Sequence, residues 1–192
     1  MMGQRLRTLA EPSELPQQAF TALAQAVTDV ADPWRTPVLA TVHDGYPDAR
    51  TVVVRSVDAR QRTLWCFSDL LTAKVDAIRR NPQVAWCFYD PNTRTQLRLK
   101  GHAVVEAGGE QTEKFWRALS PTQQRNYGPE PRPGTAVTTP FEIRWRESPF
   151  DHFTVIATEV IAMDWLELHP DVHRRASAGW DGRSWASHWV AP

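Results

Sequence analysis

Val38 to His43 and Arg50 to Val57 are two β-branched runs on either side of an Asp44-Gly45 turn, which is the grammar of a hairpin. The same grammar recurs along the chain. A strand is expected at Thr63 to Ser68, and a second pair at Val84 to Tyr89 and Gln96 to Glu106 around Asp90-Pro91-Asn92. Further strands are expected at Phe141 to Trp145, Phe153 to Leu168 and Ser184 to Val190. In the Gln96 arm, Leu97 and Leu99 alternate with Arg98 and Lys100, the period of a sheet with one buried face. Helices are few and scattered. Phe20, Leu23, Val27 and Val30 predict an amphipathic helix of about 15 residues from Ser13. Shorter helices are expected at Leu71 to Arg80, stopped by Asn81-Pro82, and at Glu110 to Leu119. Hairpins with so few helices point to a mainly β chain with flanking helices, folded as a closed or partly closed antiparallel barrel. One domain is expected over 1–192, with 1–32 as an N-terminal helical arm. Residues 120–140 carry five prolines and no period, and read as a long surface loop of the kind that is often functional or mobile.

Charge removes several function classes. The chain has 22 basic and 22 acidic side chains, without the positive excess of a general nucleic-acid binder. No run approaches the ~18 apolar residues of a membrane span, and the first residues lack the apolar core of a secretory signal. A cytoplasmic protein without membrane or nucleic-acid partners is therefore expected. Cys66 and Cys87 lie in apolar runs without metal-site or redox spacing and read as buried thiols. His169 and His173 would share a helix face, but Pro170 lies between them and no third ligand is apparent, so no metal is expected. The nine glycines form neither a dinucleotide fingerprint nor a Walker loop, and no G-x-S-x-G elbow occurs.

What remains is a constellation: Arg50-Thr51-Val52-Val53-Val54-Arg55, then Phe67-Ser68-Asp69, Thr72 and Lys74, then Gln96. Of 22 basic residues only Lys74, Lys100 and Lys114 are lysines, so a lysine at the head of a helix stands out. That position already favours anions, and Thr72 adds a hydroxyl beside it; the group could hold a phosphate. An exposed salt-bridging role for Arg50 or Lys74 is the plain alternative. Strand parity sets Arg50 and Arg55 on opposite faces unless a bulge intervenes.

These residues resemble the flavin-binding split barrels of pyridoxamine 5'-phosphate oxidase type. Pro33-Trp34-Arg35-Thr36-Pro37, Ala49 to Arg55 and Ala85-Trp86-Cys87-Phe88-Tyr89-Asp90 are similar to the branch known only as FMN-binding and oxidase-related. The resemblance runs from about Pro33 to the end, with Trp165 and Arg175 spaced as the family's flavin-site tryptophan and arginine. It implies an antiparallel FMN-binding split β-barrel, a homodimer with FMN at the interface, and a small-molecule substrate. Arg50, Thr72 and Lys74 match positions that hold the FMN phosphate. Val53 and Val54, within Thr51 to Arg55, match backbone beside the flavin ring, with Phe67 and Ser68 on the neighbouring strand. Gln96 matches a glutamine that hydrogen-bonds flavin, and Trp165 and Arg175 match residues contributed across the dimer. Arg55 and His173 match the substrate side.

The chain departs from the family pattern in a consistent direction. Ala73 stands where the family has a phosphate-binding arginine, and Phe115, Leu119 and Gln123 fall where a tyrosine, an arginine and a serine grip the vitamin phosphate. Asp171 replaces the arginine before the substrate histidine. Losing cations and gaining a carboxylate disfavours a phosphorylated substrate. The reading is an FMN-dependent oxidoreductase that takes hydride from an unidentified substrate onto flavin N5. The alternative is a flavin- or haem-binding protein without turnover on the same barrel. Most of the nine tryptophans, and Phe115 and Trp116, are expected to be packing residues.

Overall fold

Alternation along the strands builds the sheet. In the computed structural model, which describes residues 9–192, β5 (Gln83–Asp90) turns Val84, Trp86 and Phe88 inward, and β6 (Thr95–Glu106) turns Leu97, Leu99 and Ala103 inward. β1 (Val38–His43) pairs with β2 (Tyr46–Thr51) across the Asp44-Gly45 turn, and with β5 on its other edge. Both turn residues have positive φ, as a two-residue hairpin turn requires. β3 (Val54–Asp58) pairs with β4 (Thr63–Asp69).

The 15-residue β9 (Phe153–Glu167) organises the whole. Its first half pairs with β4 and its second half, on the same edge, with β10 (Arg174–Trp180), which continues to β11 (Trp185–Trp189). β6 runs along the other edge, with a register shift between Lys100 and Gly101 that leaves Ile161 as an extra residue. A Cβ on Gly101 would collide with the Glu159 carbonyl oxygen and crowd the Thr158 methyl, so glycine permits the close approach at this bulge. The strand order is β11-β10-β9-β6-β5-β1-β2, with β3 and β4 branching off β9, and the sheet stays open as a split barrel.

α1 (Leu15–Thr28) buries Leu15, Phe20, Leu23 and Ala26 against β3 and the main core. α2 (Ala73–Arg80) buries Val75 and Ile78, with Arg79 and Arg80 near its C-terminus. A second, aromatic core lies under α3 (Gly109–Arg117): Trp116 and Tyr127 pack on Phe153 with ring centroids 5.1 and 4.9 Å away.

Four expectations need correction. The run from Arg50 to Val57 is interrupted at Val52-Val53, and its halves pair with different partners, β1 and β4. Phe141 to Trp145 is a 3-10 turn followed by the two-residue β8 (Arg144–Trp145). β10 went unpredicted, because Arg-Arg-Ala-Ser-Ala-Gly-Trp has little β propensity and takes strand form from its neighbours. The 120–140 segment is not structureless: it contains α4 (Pro121–Gln124), closed by a Ser120–Gln123 capping box, and β7 (Pro129–Glu130), paired with β8. The 1–32 arm is described from Leu9 onward.

Candidate functional site

The break at Val52-Val53 and the turn from β4 into α2 create the first part of the site. Lys74 Nζ donates to Ser68 Oγ at 3.1 Å, and Ser68 Oγ lies 2.9 Å from Thr72 Oγ1. Thr72 N-caps α2 without spending its side chain on the cap. Among the described residues Lys74 has no carboxylate in ion-pair distance; burial, then Arg50, lowers its pKa from 10.5. Arg50 donates to Thr41 Oγ1 at 2.9 Å and to the Leu39 carbonyl at 3.2 Å, and pairs with Asp48.

β3 carries a bulge at Arg55, between the pairs Val54–Cys66 and Ser56–Trp65. Lys74, Arg55 and Arg50 all lower the pKa of the buried Cys66 thiol, opposing the burial that pushes it up to about 12. The Arg55 guanidinium carbon sits 5.6 Å from the centroid of Phe67. Beneath it is a cavity of about 180 Å³ that also touches Phe115, Leu119 and Gln123. The structure thus gathers at one cavity the residues the resemblance placed on the substrate side, apart from Asp171 and His173, which are exposed beyond β9.

Gln96, Arg175 and Trp165 lie elsewhere on the sheet. Gln96 and Arg175 both stand opposite Leu166, on a face shared with Asp164 and Arg98. Asp164 receives Arg175 Nη2 at 2.8 Å and lies 3.0 Å from Arg98 Nη2; burial would raise its pKa, but these hydrogen bonds hold it below the ordinary 3.8. The Cys87 thiol lies 3.8 Å from Gln96 Oε1. A groove of about 530 Å³ opens on this face, over Val38, Cys87, Met163 and Arg175. Trp165, paired with Leu97 and Ala176, points to the opposite face and is 0% exposed, its indole N–H without a hydrogen-bond partner. Trp165 and Arg175 therefore do not share a surface within one chain.

Sequence reading missed two residues, Arg35 and Arg132, and named Asp69 beside Ser68 without giving it a role. Arg35 lines the Arg55 cavity; its only sequence signal was an arginine between Pro33 and Pro37. Asp69 is buried and accepts the N–H groups of Leu71 at 2.8 Å and Gly128 at 2.7 Å. Arg132 reaches from the proline-rich loop to the Leu71 carbonyl at 2.8 Å and pairs with Asp76. Among the described residues no cluster of three or more His, Cys, Asp or Glu could hold a metal, and no helix is long and apolar enough to cross a membrane.

Residues 17–107 match the family model described as pyridoxamine 5'-phosphate oxidase, FMN-binding domain. The chain is 34% identical over 79 residues to a pyridoxine/pyridoxamine 5'-phosphate oxidase of Haemophilus influenzae, covering 41% of this chain and 36% of that protein. It is 32% identical over 104 residues to the enzyme of that name from Granulibacter bethesdensis, covering 50% and 49%. The matches thus span half or less of these relatives' length. Among solved structures, a pyridoxamine 5'-phosphate oxidase-related FMN-binding protein of Nostoc punctiforme superposes with TM-score 0.72 and 25% identity, over 91% of this chain and 96% of that one. PhzG of Burkholderia lata, solved with tetrahydrophenazine-1-carboxylic acid, shares the fold at TM-score 0.75 and 21% identity, over 98% and 100%.

Proposed function

We propose that this chain, whose residues 17–107 match the pyridoxamine 5'-phosphate oxidase FMN-binding domain and whose fold is similar to that of a related FMN-binding protein, is a member of that family and an FMN-dependent oxidoreductase that acts in the cytoplasm on a small molecule other than a vitamin phosphate. The observation that carries the FMN site is Lys74: a partly buried ammonium with two hydroxyls, a neighbouring guanidinium and no carboxylate partner among the described residues. Such a group gains from a phosphate monoester. Arg50 joins by turning from Asp48, and Thr72 and Ser68 supply hydroxyl donors. Thr51 to Arg55 and Phe67 form the wall beside these groups.

When bound, FMN supplies the redox chemistry, accepting a hydride at N5 and passing the electrons to oxygen or another acceptor. The chain's part is to hold the phosphate, orient the ring and place a substrate at the Arg55 cavity. That second cavity favours turnover over carriage of flavin or haem, because a carrier has no use for it. Gln96 and Arg175 lie on a face that also exposes Val38 and Val42, so we assign them to the partner's site in a homodimer, with Trp165 as their buried support. His173 would reach the substrate from the same partner. Free thiols at Cys66 and Cys87 suit a reducing compartment.

An absorbance titration with FMN tests this reading. Stoichiometric flavin binding, weakened about tenfold or more in Lys74→Ala, is expected from the loss of a charge-assisted contact. A protein that stays colourless with FMN in excess would overturn it.

A further inference from the structure

The cavity under Arg55 has a charge imbalance that nothing among the described residues resolves. Arg35 and Arg55 both line it, no carboxylate does, and neither arginine has an acidic partner among the described residues. Two half-buried guanidinium groups facing one small cavity repel each other and lack a counter-charge there, so the arrangement favours a negative ligand.

Arg35 is held in place by rigid local structure. Asp32 accepts the Trp34 N–H at 2.8 Å, the Arg35 N–H bonds the Asp32 carbonyl at 3.0 Å, and Pro33 opens the turn. Trp34 is buried against Phe88, and Arg35 Nη1 donates to the Val27 carbonyl at the end of α1. That bond uses one corner of the guanidinium and fixes its plane, leaving its other donors for a ligand. Apart from Gln123 the remaining walls are aromatic and aliphatic: Phe67 and Phe115 pack with centroids 5.0 Å apart, and Leu119 closes one side.

The shape and donor set narrow the anion. About 180 Å³ is below the roughly 300–1,000 Å³ of sites for drug-sized ligands, and suits one substituted ring rather than a fused system. A phosphate dianion presents three terminal oxygens and needs donors on several sides, yet beyond the two guanidinium groups the lining offers only Gln123, whose Oε1 already accepts the Ser120 N–H at 2.9 Å. A carboxylate presents two oxygens in a plane, which two guanidinium forks satisfy. We infer that Arg35 and Arg55 form a clamp for the carboxylate of a single-ring aromatic substrate, with Phe67 and Phe115 as the ring's walls. The inference rests on the oxidoreductase reading, because it assigns the substrate class of that site.

Calorimetric titration of the FMN-loaded protein with benzoate, benzamide and phenyl phosphate tests the clamp. Benzoate is expected to bind at least about tenfold more tightly than either analogue, and Arg35→Gln to weaken benzoate by about tenfold while leaving FMN affinity unchanged. Arg55→Gln, a second variant, is expected to weaken benzoate comparably. Benzoate binding no better than benzamide, phenyl phosphate binding more tightly than benzoate, or an Arg35→Gln protein that folds and binds benzoate normally would each overturn the clamp. These results leave FMN binding intact, whereas failure of the oxidoreductase reading shows earlier, as failure to load FMN.

Discussion

Asp69 accepts the backbone N–H of Gly128 at 2.7 Å, joining the turn that heads α2 to a loop 59 positions later in the chain. Through this bond, and through Arg132 on the Leu71 carbonyl, the proline-rich segment is fastened beside Ser68, Thr72 and Lys74. Tyr127, next to Gly128, sinks its ring into the aromatic core against Phe153. The loop therefore belongs to the architecture of the site.

Asp69→Ala leaves two backbone N–H groups, those of Leu71 and Gly128, without their acceptor. A loss of about 1–3 kcal/mol is expected, the usual cost of a buried unsatisfied donor, together with weaker FMN binding. Denaturant unfolding and flavin titration measure both, and an unchanged midpoint would remove Asp69 from this role.

Lys74 gives a pH signature. Its folded pKa lies below 10.5, first because of burial and then because of Arg50, so the unfolded chain binds the proton more tightly. The penalty is fully present below the folded pKa and disappears as pH rises from that value to 10.5. Without FMN, Lys74→Met is expected to be more stable than the parent at neutral pH, with the gap closing through that alkaline window. A gap that widens with pH would contradict the assignment.

Gly101→Ala places a Cβ against the Glu159 carbonyl and the Thr158 methyl, where β6 and β9 meet at the bulge. Overpacking of this kind costs about 1–3 kcal/mol, and because the obstacle is backbone the upper end is expected. Thermal unfolding checks it; a melting temperature equal to the parent's would show that β9 can shift freely.

Shared sites make a prediction that independent sites do not. If Lys74 acts from one protomer and Arg175 from its partner, a mixed dimer of Lys74→Ala and Arg175→Ala chains contains one site with both changes and one with neither. Mixing the two variants after reversible dissociation is expected to restore tight FMN binding to one site per mixed dimer. Flavin occupancy no higher than the average of the two parents would place both residues in the same protomer's site or separate them altogether.

Side-chain polarity determined a good deal of this protein in advance. The alternation in β6, the β-branched arms beside Asp44-Gly45 and the Val75 and Ile78 face of α2 are local patterns, and they fixed which residues of those elements turn inward. The lysine and threonine at the head of α2 were legible for the same reason, since donors a few residues apart meet without help from distant chain. Tertiary structure decided what depended on partners. It split the Arg50 to Val57 run, because β1 and β4 compete for its two halves, and it made a strand of the small-residue segment from Arg174 to Trp180 by offering it the edges of β9 and β11. It also put Trp165 and Arg175 on opposite faces and brought Arg35 to the same cavity as Arg55. Strand pairing and the convergence of distant side chains are non-local, and no spacing along the chain encodes them; they follow from which edges are free when the barrel assembles.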